Sequence, residues 1–139
     1  MIPDKCQLQA ELDNLSNYAT VYKMKINEAK TKIMLFNCST KRDFHPEIQL
    51  EGKKLEVVQQ MKLLGVVITS DLKWHENTKH ITKKAFGRLW LMKRLKSMGA
   101  SAETLLDVYC KQVRSVLEFA AVVWSSGLTQ ENSTQIERV

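Results

Sequence analysis

The sequence predicts an α+β fold: an N-terminal helix and a small antiparallel sheet, followed by an α-helical half. Three patterns carry that prediction. Leu8, Leu12, Leu15, Ala19 and Tyr22 recur at intervals of four and three, the period of an amphipathic helix. Ile48-Gln49-Leu50 and Leu55-Glu56-Val57 alternate with period two around Glu51-Gly52-Lys53-Lys54, a hairpin signature. Residues 81–120 then carry two apolar faces at helical spacing. The 139 residues are 44% apolar and 26% charged, the composition of one soluble globular domain with enough apolar material for a core. No apolar run approaches the roughly 20 residues that span a bilayer, so no membrane partner is expected. Residues 1–5 open no apolar segment of the signal-peptide kind.

The elements follow in order. The first helix occupies residues 5–22, with Glu11 and Asp13 off its apolar stripe. Asn27-Glu28-Ala29-Lys30 reads as a turn, because an Asn side chain bonds locally to backbone. Lys32-Ile33-Met34-Leu35-Phe36 suits a buried strand, and residues 37–46 a loop. Residues 61–68 give the strongest strand pattern, interrupted by Gly65, which implies a bulge or a close approach to the backbone. Ile81, Ala85, Leu89, Met92 and Leu95 define a helix stopped by Gly99. Ser101 caps the next helix, whose apolar face is Leu105, Leu106, Tyr109, Val113, Val116, Leu117 and Ala120. The short gap makes these two helices an antiparallel pair. After Ser125-Ser126-Gly127, Thr129 caps a last helix that runs toward Val139 with no stop signal.

Charge is the first clue to function. Of 21 basic residues, seven lie in residues 75–98 (Lys79, Lys83, Lys84, Arg88, Lys93, Arg94 and Lys96), against the single acid Glu76. The rest of the chain balances at 14 of each sign, so the whole excess of +6 sits on one helix. Such a stripe is the electrostatic footprint expected for nucleic acid or an anionic membrane surface; its bland alternative is a solvated helix face. Lys83, Gly87, Trp90 and Arg94 fall at i, i+4, i+7 and i+11, away from the Ile81 face. There the cations would neutralise phosphates and Trp90 would lie on sugar or base; alternatively, Trp90 packs on the next helix or on missing protein, and the lysines merely solubilise.

Catalytic constellations are absent. There is no phosphate-binding glycine loop, and Asp4, Asp13, Asp43, Asp71 and Asp107 are scattered over different elements. His75 and His80 stand five apart, off the spacing of a helical metal pair, so no metal ligands are assigned. Cys6, Cys38 and Cys110 are odd in number and widely spaced, which implies reduced thiols and an intracellular chain, cytoplasmic or nuclear.

The order of elements has a specific likeness. Asn27-Glu28-Ala29-Lys30-Thr31-Lys32, a strand, a hairpin, Met61-Lys62-Leu63-Leu64-Gly65-Val66-Val67-Ile68 and then Asp71-Leu72-Lys73-Trp74 resemble a non-LTR retrotransposon reverse transcriptase downstream of its catalytic aspartates. Lys84-Ala85-Phe86-Gly87-Arg88-Leu89-Trp90-Leu91-Met92-Lys93-Arg94-Leu95, the segment 106–119 and the segment 127–139 are similar to the thumb of that family. The resemblance implies a palm remnant with the primer-grip hairpin over residues 1–74 and a helical thumb over 75–139. The parent would be an RNA-directed DNA polymerase using Mg2+, with a primer–template duplex as partner. The family's aromatic-Ala-Asp-Asp box, its fingers and its central palm are missing here, so the chain is expected to hold no cofactor and to be inactive alone.

Roles follow residue by residue. Lys30 stands where the family places a lysine beside the incoming nucleotide, a candidate general acid for the leaving pyrophosphate; its bland alternative is a solvated lysine in a turn. Gly65 falls in the stretch resembling the primer grip, where a bare Cα lets a nucleic-acid backbone come close. Lys79, Lys83, Lys84, Arg88, Trp90 and Arg94 are the candidate nucleic-acid contacts. The rival expectations are a stand-alone nucleic-acid-binding or protein-interaction module derived from a thumb, or a pseudogene product.

Overall fold

The computed structural model describes residues 5–36 and 47–139. It is an α+β chain in two compact units, Met1–Gln59 and Gln60–Val139. The expected loop at 37–46 lies outside the described residues.

In the first unit, helix α1 (Lys5–Val21) is followed by four two-residue strands, β1 (Lys32–Ile33), β2 (Gln49–Leu50), β3 (Lys53–Lys54) and β4 (Glu56–Val57). Leu8 and Leu12 of α1 pack with Ile26 and Ile33 around buried Ile48, Leu50 and Leu55. Ala19 is buried as its spacing requires, whereas Leu15 and Tyr22 are exposed. The Tyr22 ring lies on that of Tyr18, centroids 4.5 Å apart. The Gln9 amide bonds the β2 backbone twice, donating to the Gln49 carbonyl at 2.9 Å and accepting from the Gln49 N–H at 3.0 Å. It thereby satisfies strand groups that would otherwise be an open edge. The hairpin turns at Glu51-Gly52, so its arms are β2 and β3. Strand β4 instead pairs parallel with β1, Lys32 opposite Glu56 and Ile33 opposite Val57. Predicted strand 32–36 is ordered as strand only at its first two residues.

The second unit starts with β5 (Gln60–Leu63) and β6 (Val66–Thr69), an antiparallel hairpin. The sequence suggested one strand through residues 61–68; the structure corrects this. Leu64 and Gly65 both take positive φ, 47° and 94°, so the chain reverses in a two-residue turn. Two left-handed central residues match the twist of the flanking strands, and glycine is what makes the second one cheap. Helix α2 (His75–Ser97) follows and closes with Gly99 at φ 85°. There Ala100 N–H reaches the Leu95 carbonyl at 3.1 Å, the capping geometry expected of that glycine. Helix α3 (Ala102–Val108) starts under the Ser101 hydroxyl, which accepts from Thr104 N–H at 3.2 Å. It widens into a π-helical segment (Tyr109–Arg114) and ends as α4 (Ser115–Leu117).

The predicted continuous face to Ala120 breaks there. Ala120 is left-handed at φ 52°, and α5 (Ala121–Trp124), a 3-10 turn (Ser125–Gly127) and α6 (Gln130–Glu137) complete the unit. The bond that fixes the break runs from Trp124 Nε1 to the Phe119 carbonyl at 2.9 Å. Val66, Ile81, Ala85, Val113, Leu117 and Trp124 form the buried core.

The hairpin thus belongs with the helices. Val66 shares their core, and Val67 N–H donates to Asn77 Oδ1 at 3.1 Å in the first turn of α2. The boundary between units falls at 59/60, ahead of the 74/75 position expected from the likeness.

Candidate nucleic-acid interface

Helix α2 is anchored from three sides. Asn77 holds the hairpin, His75 Nδ1–H donates to Asn132 Oδ1 of α6 at 2.9 Å, and Arg88 Nη1 donates to the Gln112 carbonyl at 2.5 Å in the π-helical segment. Fixing those contacts turns the opposite face of the helix outward. Arg88 is therefore a tie between helices, with its guanidinium already engaged.

The remaining cations divide by their partners. Lys79 is paired with Glu76 at 2.8 Å, and that pairing holds the Glu76 carboxyl below its usual range. Lys83, Lys84, Lys93, Arg94 and Lys96 are exposed and form no ion pair among the described residues. Phe86 and Trp90 stand among them, 53% and 67% exposed. Trp90 is open to solvent rather than packed on the next helix. Cations that neutralise phosphates, interleaved with aromatic rings that stack on bases or sugars, are the two components of a sequence-tolerant nucleic-acid surface.

Gly87 lies in the middle of the stripe, and a Cβ built there meets nothing within 4 Å. A glycine inside a helix costs about 0.5–1 kcal/mol relative to alanine. Nothing in the described packing requires it.

The other candidates are placed differently. Lys30 lies in the first unit, exposed in a turn that Asn27 closes by accepting Lys30 N–H on its side-chain oxygen at 3.1 Å. Gly65 has its bare Cα against Phe119; a Cβ there would lie 3.0 Å from the ring. Among the described residues no three of His, Cys, Asp and Glu gather as a metal site. None of the described helices is long and apolar enough to cross a membrane.

Sequence reasoning passed over three members of this surface: Phe86, His80 and Lys62. Phe86 stands four residues before Trp90 and off the Ile81 face, a spacing that was readable. Lys62 reaches His80 only through the hairpin, Nζ to Nε2 at 3.2 Å, and no local pattern announces that pairing. No protein-family model, curated protein or solved structure matches the chain.

Proposed function

We propose that this chain binds a primer–template nucleic-acid duplex through the outer face of α2, as the hairpin-and-thumb part of a non-LTR retrotransposon reverse transcriptase. The observation that carries the reading is the α2 surface itself: Lys83, Lys84, Lys93 and Arg94, without ion-pair partners among the described residues, around exposed Phe86 and Trp90. The motif order quoted above supplies the polymerase context. Leu64 and Val122, 89% and 94% exposed, are apolar surface of the kind the rest of such a polymerase would cover. The sequence contains no adjacent aspartates, so the reading assigns this chain nucleic-acid binding and leaves nucleotide transfer to the parent.

Anisotropy of a labelled RNA–DNA duplex, measured across a salt series, tests the proposal. Affinity should be poor in sequence preference and steep in salt, each phosphate contact adding roughly 0.7 to 0.9 to the slope. Charge reversal at Lys83 and Arg94 should weaken every duplex alike and flatten the slope by about 2. Trp90→Ala should weaken binding at nearly constant slope. Reversal of Glu103 and Asp107 on α3 is the control for net charge. Stripe variants that bind as the parent chain does would reduce the helix to a solvated face.

A further inference from the structure

The outer face of α2 continues beyond Lys83 toward the hairpin. His80, Lys84, Gly87, Leu91 and Arg94 follow at intervals of four, three, four and three, so they share one line along the helix. From His80 to Arg94 that line spans about 20 Å, roughly six base steps of a duplex strand. At its root end a second element joins it, because Lys62 of β5 sets its Nζ 3.2 Å from His80 Nε2. The ammonium can only donate, so the imidazole accepts through Nε2 and is neutral. Lys83 and Lys84 close the cluster from the same helix.

The groups around His80 are of one sign. Lys62 acts on it from β5, and Lys84 and Lys83 from α2. Strand β6 carries no ionisable side chain, and Glu76, one turn before, is engaged by Lys79. No carboxylate among the described residues acts on the imidazole. Three ammonium groups about a neutral imidazole, with no carboxylate among the described residues acting on it, leave positive charge that an oxyanion would balance.

We infer that Lys62, His80, Lys83 and Lys84 form a phosphodiester-binding site in which the His80 imidazole takes up one proton as a nucleic-acid strand seats. The inference rests on the nucleic-acid reading of this face and adds pH regulation to it. In the free chain, burial first and then the lysines hold His80 below its ordinary value, so it is neutral at neutral pH. A seated phosphodiester screens the lysines from the ring and offers an acceptor. The proton comes from solvent and lands on Nε2, and the imidazolium donates to a phosphate oxygen. Lys62 turns to the same phosphate. Binding therefore tightens as pH falls through the ordinary histidine range, about 6.5.

The test measures duplex affinity of the full chain at about pH 7.5 and about pH 5.8, at constant ionic strength, beside an NMR titration of His80. The parent chain should bind about three- to tenfold tighter at the lower pH, and the duplex should move the His80 titration upward. His80→Gln should lose most of the tightening, so that its affinity changes by less than about twofold between the two pH values. Arg94→Gln should weaken binding equally at both. Full tightening retained in His80→Gln, or a His80 titration unmoved by bound duplex, overturns the site. Absence of duplex binding at either pH overturns the underlying nucleic-acid reading instead. The site is then judged with inorganic pyrophosphate: an upward shift of His80, absent with chloride at equal ionic strength, keeps an anion site, and no shift removes it. Tightening on phosphatidylserine vesicles without tightening on duplex would reject nucleic acid as the ligand.

Discussion

The two halves of α2 are built for different tasks. Its buried residues, Asn77, Thr78, Ile81, Thr82 and Ala85, all lie in the half nearest the hairpin. From Phe86 onward none is buried, and α3, which follows it, buries none either. The root meets the hairpin and α6 through the Asn77 and His75 side chains, while the tip keeps Arg88 on the Gln112 carbonyl and lays Leu89 and Met92 only partly against the core. The tip carries Trp90, Leu91 and Met98 exposed, and Leu106 of α3 is exposed too. One periodic pattern therefore covers both a core-forming segment and a presenting segment. Periodicity fixes which way a residue faces, and only the neighbouring elements fix whether that face is covered.

Truncations should separate the halves most sharply. Trp124→Ala, at the root's core, should cost about 3–5 kcal/mol in a denaturant melt, because a buried indole and its bond to Phe119 are both lost. Asn77→Ala should cost about 1–3 kcal/mol by leaving the half-buried Val67 N–H without its acceptor. Trp90→Ala at the tip should stay within about 0.5 kcal/mol while weakening duplex binding. A stability loss at Trp90 comparable to Trp124 would show that the tip has a core of its own.

Hydrogen exchange sharpens the same contrast without mutation. Amides of residues 79–85 and 113–117 should exchange most slowly, since opening them exposes the buried core. Amides of residues 91–98 and 105–108 should exchange faster by local fraying. Uniform protection along α2 would mean that the helix opens only with the whole unit.

Much of this arrangement was readable beforehand. Ser101, Thr129 and Gly99 cap the helices that their residue types announced, because capping is decided within a turn of chain. The stripe of Lys83, Trp90 and Arg94 was also legible, since helical spacing alone places it off the core face. What failed was non-local. The apolar run at 61–68 hides a hairpin because Leu64 adopts a left-handed φ that its type disfavours. Arg88 looked like one more phosphate ligand, and only the fold brings the Gln112 carbonyl to it. His80 was assigned no role from its spacing to His75, and only the hairpin brings Lys62 to it.

A smaller effect concerns acid. His80 lies below its ordinary value in the folded chain, so the stability that its neutral form contributes is complete above about pH 6.5. It is lost progressively as pH falls toward the lowered folded value. The melting temperature should therefore drop between neutral and mildly acidic pH, and drop less in His80→Gln. Asp71, held low by Thr69 Oγ1 and Lys73 N–H, acts in a separate window: its contribution persists until pH falls below the ordinary aspartate range. An unchanged pH profile in His80→Gln would show that Lys62 relaxes away from the imidazolium at no cost.

The finest distinction between root and tip lies at Gly87. In the helix interior a glycine-to-alanine change stabilises by about 0.5–1 kcal/mol when the new methyl meets no obstacle, and here it meets none within 4 Å. The chain thus forgoes helix stability at the centre of its basic stripe, between Lys83 and Arg94. A bare Cα there lets a sugar–phosphate strand lie closer to the helix than any side chain permits. Gly87→Ala should raise the midpoint of denaturant unfolding and at the same time weaken duplex binding several-fold, leaving the salt slope unchanged because no charge is lost. The opposite signs are what make the measurement informative. A variant that is both more stable and equally tight would show that the gap at Gly87 serves no ligand, and the interface would then be carried by its cations and rings alone.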